Sequence, residues 1–270
     1  MTGGSGARTD PTALLDLTAK EVPLALADLH RDLEVGVTTT VSISSGWPEQ
    51  RLRDVVIGAG FVIDDLTAGV AVLRREPTLP DTVGPDMRLL VCGLNPSVLS
   101  ADVGIGFARP GNRYWPAAFA AGLVSRDRDT RHALVHHGVG MTDLVKRATP
   151  RADALTTDEY RDGVGRVGRL VEWLRPGAVV MVGLAGWRAA VDRKAVAGVQ
   201  AEPFGGRPVY VMPSTSGLNA SSRLEDLTAH LVSAAALADR ASGPRRADAP
   251  GASRRVPART WSGEHVQRVE

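Results

Sequence analysis

The chain has 270 residues, 43% of them hydrophobic, 23% charged and 4% aromatic, with a formal net charge of +2. That length buries a full core in one large domain or two smaller ones, and the composition excludes a disordered or fibrous chain. One cysteine, Cys92, excludes an internal disulfide and a cysteine-rich metal cluster, and so an iron–sulfur centre, a zinc finger or a secreted disulfide scaffold. No apolar run reaches the ~18 residues of a membrane-spanning helix, the best being Ala178–Trp187, and MTGGSGARTD lacks the apolar core of a secretory signal. The expectation is a cytoplasmic protein with no membrane partner.

The charge is unevenly spread. Residues 1–86 carry seven Lys and Arg against 13 Asp and Glu, a net of −6. Residues 87–240 have a net of +5 and residues 241–270 a net of +3. A polyanion would meet the rear of the chain, although the excess of arginine over lysine also fits a genome-wide bias.

Residues 1–11 read as a disordered terminus. From Val22 to Leu33 the spacing is helical, Gly36 opens a β-rich run Val37–Ile43, and 49–57 is helical up to Gly58-Ala59-Gly60. Phe61–Asp65 and Val70–Arg74 suit an antiparallel pair. These elements make a small α/β module, residues 12–86, with Thr78–Pro85 as a linker. A second unit, 87–240, has apolar strands at Arg88–Gly93, Ala178–Gly183 and Pro208–Met212. Between them, Thr156-x-x-Glu159 is a capping box, and Tyr160, Val164, Val167, Val171 and Leu174 form one helical stripe stopped by Pro176-Gly177. Apolar strands alternating with amphipathic helices predict an α/β fold with a parallel sheet covered on both faces. A last helix spans about 223–239. The tail, 241–270, is rich in Arg, Pro, Gly and Ser and reads as disordered and basic.

Ligands of such sheets sit beyond the carboxyl ends of the strands, where Gly93-Leu94-Asn95-Pro96 and Met212-Pro-Ser-Thr-Ser-Gly-Leu-Asn219 fall. Glycine allows a sharp turn and proline stiffens it, so Asn95 is held on a rigid platform. A neutral carboxamide there suits holding a water or a substrate edge; an Asn that merely caps a turn is the alternative.

The runs GLNPSVLSADVGIGFARPGNRYW (93–115), GMTDLVKR (140–147) and MPSTSGLNA (212–220) together resemble the mismatch-specific uracil/thymine-DNA glycosylases, the asparagine branch of the uracil-DNA glycosylase superfamily. The resemblance covers about 87–240. It implies a three-layer α/β/α sandwich with a short parallel central sheet. It also implies a monofunctional enzyme that uses no metal and no cofactor and acts as a monomer on double-stranded DNA with a mismatched or damaged pyrimidine. The base removed is uracil opposite guanine, with thymine and ethenocytosine as further candidates, in base excision repair near the nucleoid.

By the same resemblance Asn95 positions the hydrolytic water and Phe107 stacks on the extruded base. The amides around Leu94 and Phe107 read its edge, and Leu94 and Ser100 shape the pocket. Leu218 wedges into the duplex, Gly217 and Asn219 lie beside it near the orphaned guanine, and Ser214 and Ser216 grip phosphate. Asp143 departs from the Asn or Lys that relatives carry there. A carboxylate at that place accepts the N3–H of uracil or helps activate the water, with a surface or helix-capping Asp as the alternative. Asn219-Ala220-Ser221 lacks the arginine some relatives set against the guanine, which relaxes the expected dependence on a mismatch.

Three other features carry less. His132, His136 and His137 have helical spacing without the acidic or cysteine partners of a metal site. The Gly183-Leu-Ala-Gly186 turn suits either a DNA phosphate or plain packing. The front module resembles the closing half of a class-I methyltransferase domain without its glycine-rich cofactor loop, so S-adenosylmethionine is not expected. The rival to an enzyme is a damage-binding module that kept the fold; a free-nucleoside hydrolase would need an aspartate cluster for calcium and no wedge.

Overall fold

The computed structural model describes residues 12–13, 17–42, 46–67 and 69–242. Of the segments expected to be disordered, 1–11 and 241–270, residues 1–11 and 243–270 lie outside the described residues, while 241–242 continue the last helix.

The first sheet has the order β1-β2-β4-β3, from β1 (Thr12–Ala13), β2 (Thr38–Ser42), β3 (Phe61–Thr67) and β4 (Val70–Arg75). β1 and β2 are parallel, and β4 returns antiparallel between β2 and β3. Helices α1 (Val22–Asp32) and α2 (Glu49–Gly58) cover it, with Leu26, Val55 and Val56 against Val41, Phe61, Ala71 and Leu73. The expected strand pair is present.

The second sheet has the order β6-β5-β7-β9-β8, from β5 (Leu89–Gly93), β6 (Val139–Asp143), β7 (Ala178–Val182), β8 (Gly198–Val199) and β9 (Val209–Met212). All neighbours are parallel except the short edge strand β8. Alternate side chains of a strand face opposite ways, and the core divides accordingly. Leu89, Val91, Val180, Val182 and Met212 meet Trp115 of α4 (Tyr114–Ala120) and Leu227 and Leu231 of α8 (Leu224–Ser242). Leu90, Cys92, Val179, Met181, Val209 and Val211 meet Val167, Leu170, Val171 and Leu174 of α6 (Thr157–Leu174). Three layers result, the expected α/β/α class. The remaining helices are α3 (Val98–Val103), α5 (Thr130–His137) and α7 (Leu184–Ala190).

α6 begins at the expected capping box: Thr156 Oγ1 accepts from Glu159 N, and Glu159 accepts from Thr156 N. It ends at Arg175, whose φ of 56° is left-handed. The strand β6 lacks an apolar run, carrying Gly140, Thr142 and Asp143 among its five residues, yet all five are buried. Non-local partners reach Thr142 Oγ1 and the carbonyl of Asp143 in it.

The segment read as a linker, 78–85, is buried from Thr78 to Gly84. Thr82 and Met141 exchange backbone hydrogen bonds of 2.8 Å, so this segment covers the open edge of the second sheet at β6. The front module also packs on α6: the rings of Trp47 and Trp173 meet edge-on at 5.3 Å, Arg51 lies 5.1 Å over Trp173, and Arg169 grips Asp54 with two hydrogen bonds. Proline and glycine marked a chain without regular structure; they did not mark an exposed one.

Candidate active site

A cleft of about 590 Å³ opens beyond the carboxyl ends of the parallel strands, the size of a small-molecule pocket. Its walls come from the turn after β5, the loop before α4, the end of β6, residues 149–153 and the loop after β9. Each motif that the sequence placed at the sheet edge reaches this cleft.

Asn95 stands on the turn after β5 and is locked in one orientation. Its Nδ2 donates to Pro96 O at 3.1 Å, Arg147 O at 3.0 Å and Thr149 Oγ1 at 2.7 Å. Two of these acceptors are carbonyls, which only the NH₂ end can face, so the amide cannot turn over. Thr149 is itself held, donating from Oγ1 to Arg151 O and from N to Pro96 O. Asn95 Oδ1 therefore remains as the acceptor presented by this side chain on the cleft wall. Thr149 was missing from the sequence reading; the hint was its place just after GMTDLVKR.

Asp143 ends β6 directly opposite Gly93 of β5. A Cβ on Gly93 would lie 2.3 Å from Asp143 Oδ1, so glycine makes the room that the carboxyl group occupies. No group among the described residues donates to that carboxylate. Burial raises its pKa to about 6, against the opposing pull of Lys146 and Arg166. The same hypothetical Cβ would lie 3.6 Å from Phe107 Cζ, which puts ring tip and carboxyl at one end of the cleft.

Phe107 is held with a φ of 58°, a strained left-handed conformation for a non-glycine residue. One face of its ring stacks on Tyr114, centroids 4.3 Å apart and planes within 24°. The ring also lines the cleft, so a planar ligand has a fixed aromatic platform. Its loop is pinned by Trp115 Nε1 donating to Gly106 O at 2.8 Å and by Ala108 N donating to Ser100 Oγ at 3.3 Å. Ser100 is buried and receives Ser97 Oγ at 3.0 Å, so it acts first as a holder of the platform. Leu94 lines the cleft beneath α7, where a side chain at Gly186 would run into it at 2.6 Å. That contact gives Gly186 a packing role.

The loop after β9 projects Leu218, 72% exposed, beside the cleft. Ser214 Oγ accepts from Ser216 N, and Ser216 Oγ accepts from Leu218 N, and neither hydroxyl donates to a group among the described residues. Arg113 threads the loop: its Nη2 donates to Ser216 O at 3.0 Å and Asn219 O at 2.6 Å, and its Nη1 to Ser222 O. Asn219 is occupied internally, with Nδ2 donating to Ser214 O and Oδ1 accepting from Ser221. Gly217 rests on the backbone of Gly111, where a Cβ would come within 2.9 Å of Gly111 O. Arg113 was legible only as part of GNRYW; its grip on residues over 100 positions away was not.

The family model described as uracil DNA glycosylase superfamily matches residues 80–235. The chain belongs to this superfamily. Its activity class is accordingly that of a DNA glycosylase, a DNA-repair hydrolase that acts on DNA. The match begins at residue 80, inside the buried segment that covers β6, and takes in every residue assigned above to the cleft.

In this uracil-DNA glycosylase fold the three histidines stand apart from the cleft residues. The His132 ring lies 4.3 Å from His136 and 5.4 Å from His137, and His137 shares a hydrogen bond with Ser125. Among the described residues no group of three or more His, Cys, Asp or Glu side chains is placed to hold a metal ion. No described helix is long and apolar enough to cross a membrane.

Proposed function

We propose that this glycosylase is monofunctional and excises uracil from mismatches opposite guanine, with thymine and ethenocytosine as further candidate bases. The observation that carries the proposal is the locked carboxamide of Asn95, whose free Oδ1 is an acceptor fixed on the cleft wall. An acceptor fixed in this way orients a water at the sugar without the reorganisation a mobile side chain would need.

The steps follow from the chain's own groups. Leu218 enters the stack as the target base leaves, and flipping is cheapest at a mismatch, where pairing is already weak. The base lies on Phe107, its edge read by the amides around Leu94 and Phe107. The glycosidic bond breaks with its electron pair going to the base, and positive charge grows on the sugar. Water held by Asn95 adds its oxygen to the anomeric carbon, and its proton leaves towards the Asp143 carboxylate or solvent. Each well-placed amide donor stabilises the departing anion by roughly 2–4 kcal/mol. The product is an abasic site with an intact strand.

Ser214 and Ser216, with hydroxyl protons still available, support phosphate contacts by this loop. Asn219 supports the wedge from within, because its amide is already engaged. The order β1-β2-β4-β3, its last strand inserted antiparallel between β2 and β3, supports the reading of the front unit as a methyltransferase-like remnant. We place the enzyme in the cytoplasm as a monomer on DNA.

The test is purified protein, without added metal, on matched duplexes carrying G·U, A·U, G·T and G·ethenocytosine. Release of free uracil from G·U DNA without a nick supports the reading. Binding to such DNA with no base released from any duplex would leave a damage-binding module in its place.

A further inference from the structure

Asp81 belongs to the buried segment that leaves the front unit, and it is the centre of an ionic cluster beneath the cleft. Its Oδ1 accepts from Lys146 Nζ and Thr142 Oγ1, both at 2.8 Å, and its Oδ2 accepts from Arg166 Nη1 at 2.8 Å. Its amide donates to Gly58 O at the end of α2, at 2.7 Å. Arg166 continues the chain of contacts, donating from Nη2 to Asp143 O at 2.6 Å and to Thr142 Oγ1 at 3.2 Å. Asp81, Thr142, Asp143 and Arg166 are all buried. Leu79, two residues before Asp81, lines the cleft itself.

We propose that Asp81 is a positioning residue for the glycosylase cleft, holding Arg166 and Lys146 so that they fix the carboxyl end of β6 and set the field at the Asp143 carboxylate. The front unit then bears on catalysis through one contact, the hydrogen bond from the Asp81 amide to Gly58 O that anchors the segment carrying Asp81. The proposal rests on the reading of Asp143 as a working carboxylate in the cleft.

Geometry and charge both point this way. The contact from Arg166 to the Asp143 carbonyl fixes the backbone from which that side chain springs, and Asp81 keeps the guanidinium in place. The charged and titratable groups around Asp143 are Lys146 in the following loop, Arg166 on α6, Asp81 on the exit segment and the Cys92 thiol on β5. Arg109, Arg151 and Asp153 line the same cleft. Asp81 offsets one of the two cations, Lys146 and Arg166; without it both would act on Asp143 unopposed and favour the ionised form. Removing Lys146 would act the other way. Buried ion clusters of this kind add little stability over well-packed apolar groups, so their field and geometry are the properties that matter here.

The experiment is a carboxyl ¹³C NMR titration of the full chain, with the Asp143 signal assigned by its loss in Asp143→Asn. It is run on wild type, Asp81→Asn and Lys146→Gln, beside the pH dependence of uracil release from G·U DNA. The expected result is a midpoint for Asp143 lowered by about one pH unit in Asp81→Asn and raised in Lys146→Gln, with the pH–rate profiles moving in step. A purely structural Asp81 would lower thermal stability and leave the midpoints alone, and unchanged midpoints in folded variants overturn the proposal. If Asp81→Asn fails to fold, Lys146→Gln decides by the same criterion. A wild type that releases no base removes the glycosylase reading, while the NMR titration still decides the role of Asp81.

Discussion

Gly93 and Asp143 face each other in the parallel register of β5 and β6, and the carboxyl group of one occupies the space a side chain on the other would need. The predicted consequence is that Gly93→Ala displaces the carboxylate from the cleft. Base release should fall by about tenfold or more, while the fold loses about 1–3 kcal/mol, the usual range for overpacking a buried site. Single-turnover kinetics and urea unfolding measure the two effects separately. A variant with wild-type kinetics would mean that the position of Asp143 is unimportant.

The raised pKa of Asp143, about 6, fixes the sign of two pH effects. If the ionised form works, as acceptor or as base, single-turnover base release rises as pH passes through about 6 and then levels. Asp143→Asn should flatten that limb. A rate that falls through the same range would instead identify the protonated acid as a donor to the departing base.

Stability runs the other way. Between its ordinary value of 3.8 and about 6 the unfolded chain ionises Asp143 while the folded chain does not. The fold therefore binds the extra proton, and this group lowers stability as pH rises through that window. Asp143→Asn should be more stable than wild type at pH 7 by about 1–3 kcal/mol, measured by chemical denaturation. A large loss of stability would show that the carboxylate is structurally required.

Most of the second sheet was legible because β5, β7 and β9 are short apolar runs and α6 carries both a capping box and a regular stripe. β6 was not read as a strand, since Thr142 and Asp143 look like surface residues until Asp81 and Arg166 are brought to them from 61 and 24 positions away. The 78–85 segment failed for the same reason. Asn95, Phe107 and Leu218 were legible as a set through their motifs. Thr149 and Arg113 act by holding other groups, and a contact of that kind leaves no local pattern in a sequence.

Thr149 supplies a prediction of its own. Thr149→Val keeps the shape but removes the acceptor of Asn95 Nδ2 at 2.7 Å. The freed carboxamide should sample other orientations, lowering the rate of base release about tenfold with DNA affinity unchanged. Equal losses in rate and affinity would point to a collapsed loop instead.

Leu218 and Arg113 should separate duplex from single-stranded substrates. Leu218→Ala removes the wedge and is expected to slow excision from duplex DNA by about tenfold, with a smaller effect on single strands that need no flipping from a stack. Arg113→Met should give the same pattern through disorder of the loop that its guanidinium ties together. Identical losses on both substrates would remove the wedge role.

The most direct measurement compares wild type with Asn95→Ala on a G·U duplex in the presence of a chelator, following free uracil, strand integrity and DNA binding together. Wild type should release uracil and leave an unbroken strand, whereas Asn95→Ala should bind the same duplex and lose about 100-fold or more in rate. Wild-type rates in Asn95→Ala, or no uracil from either protein, would contradict the account.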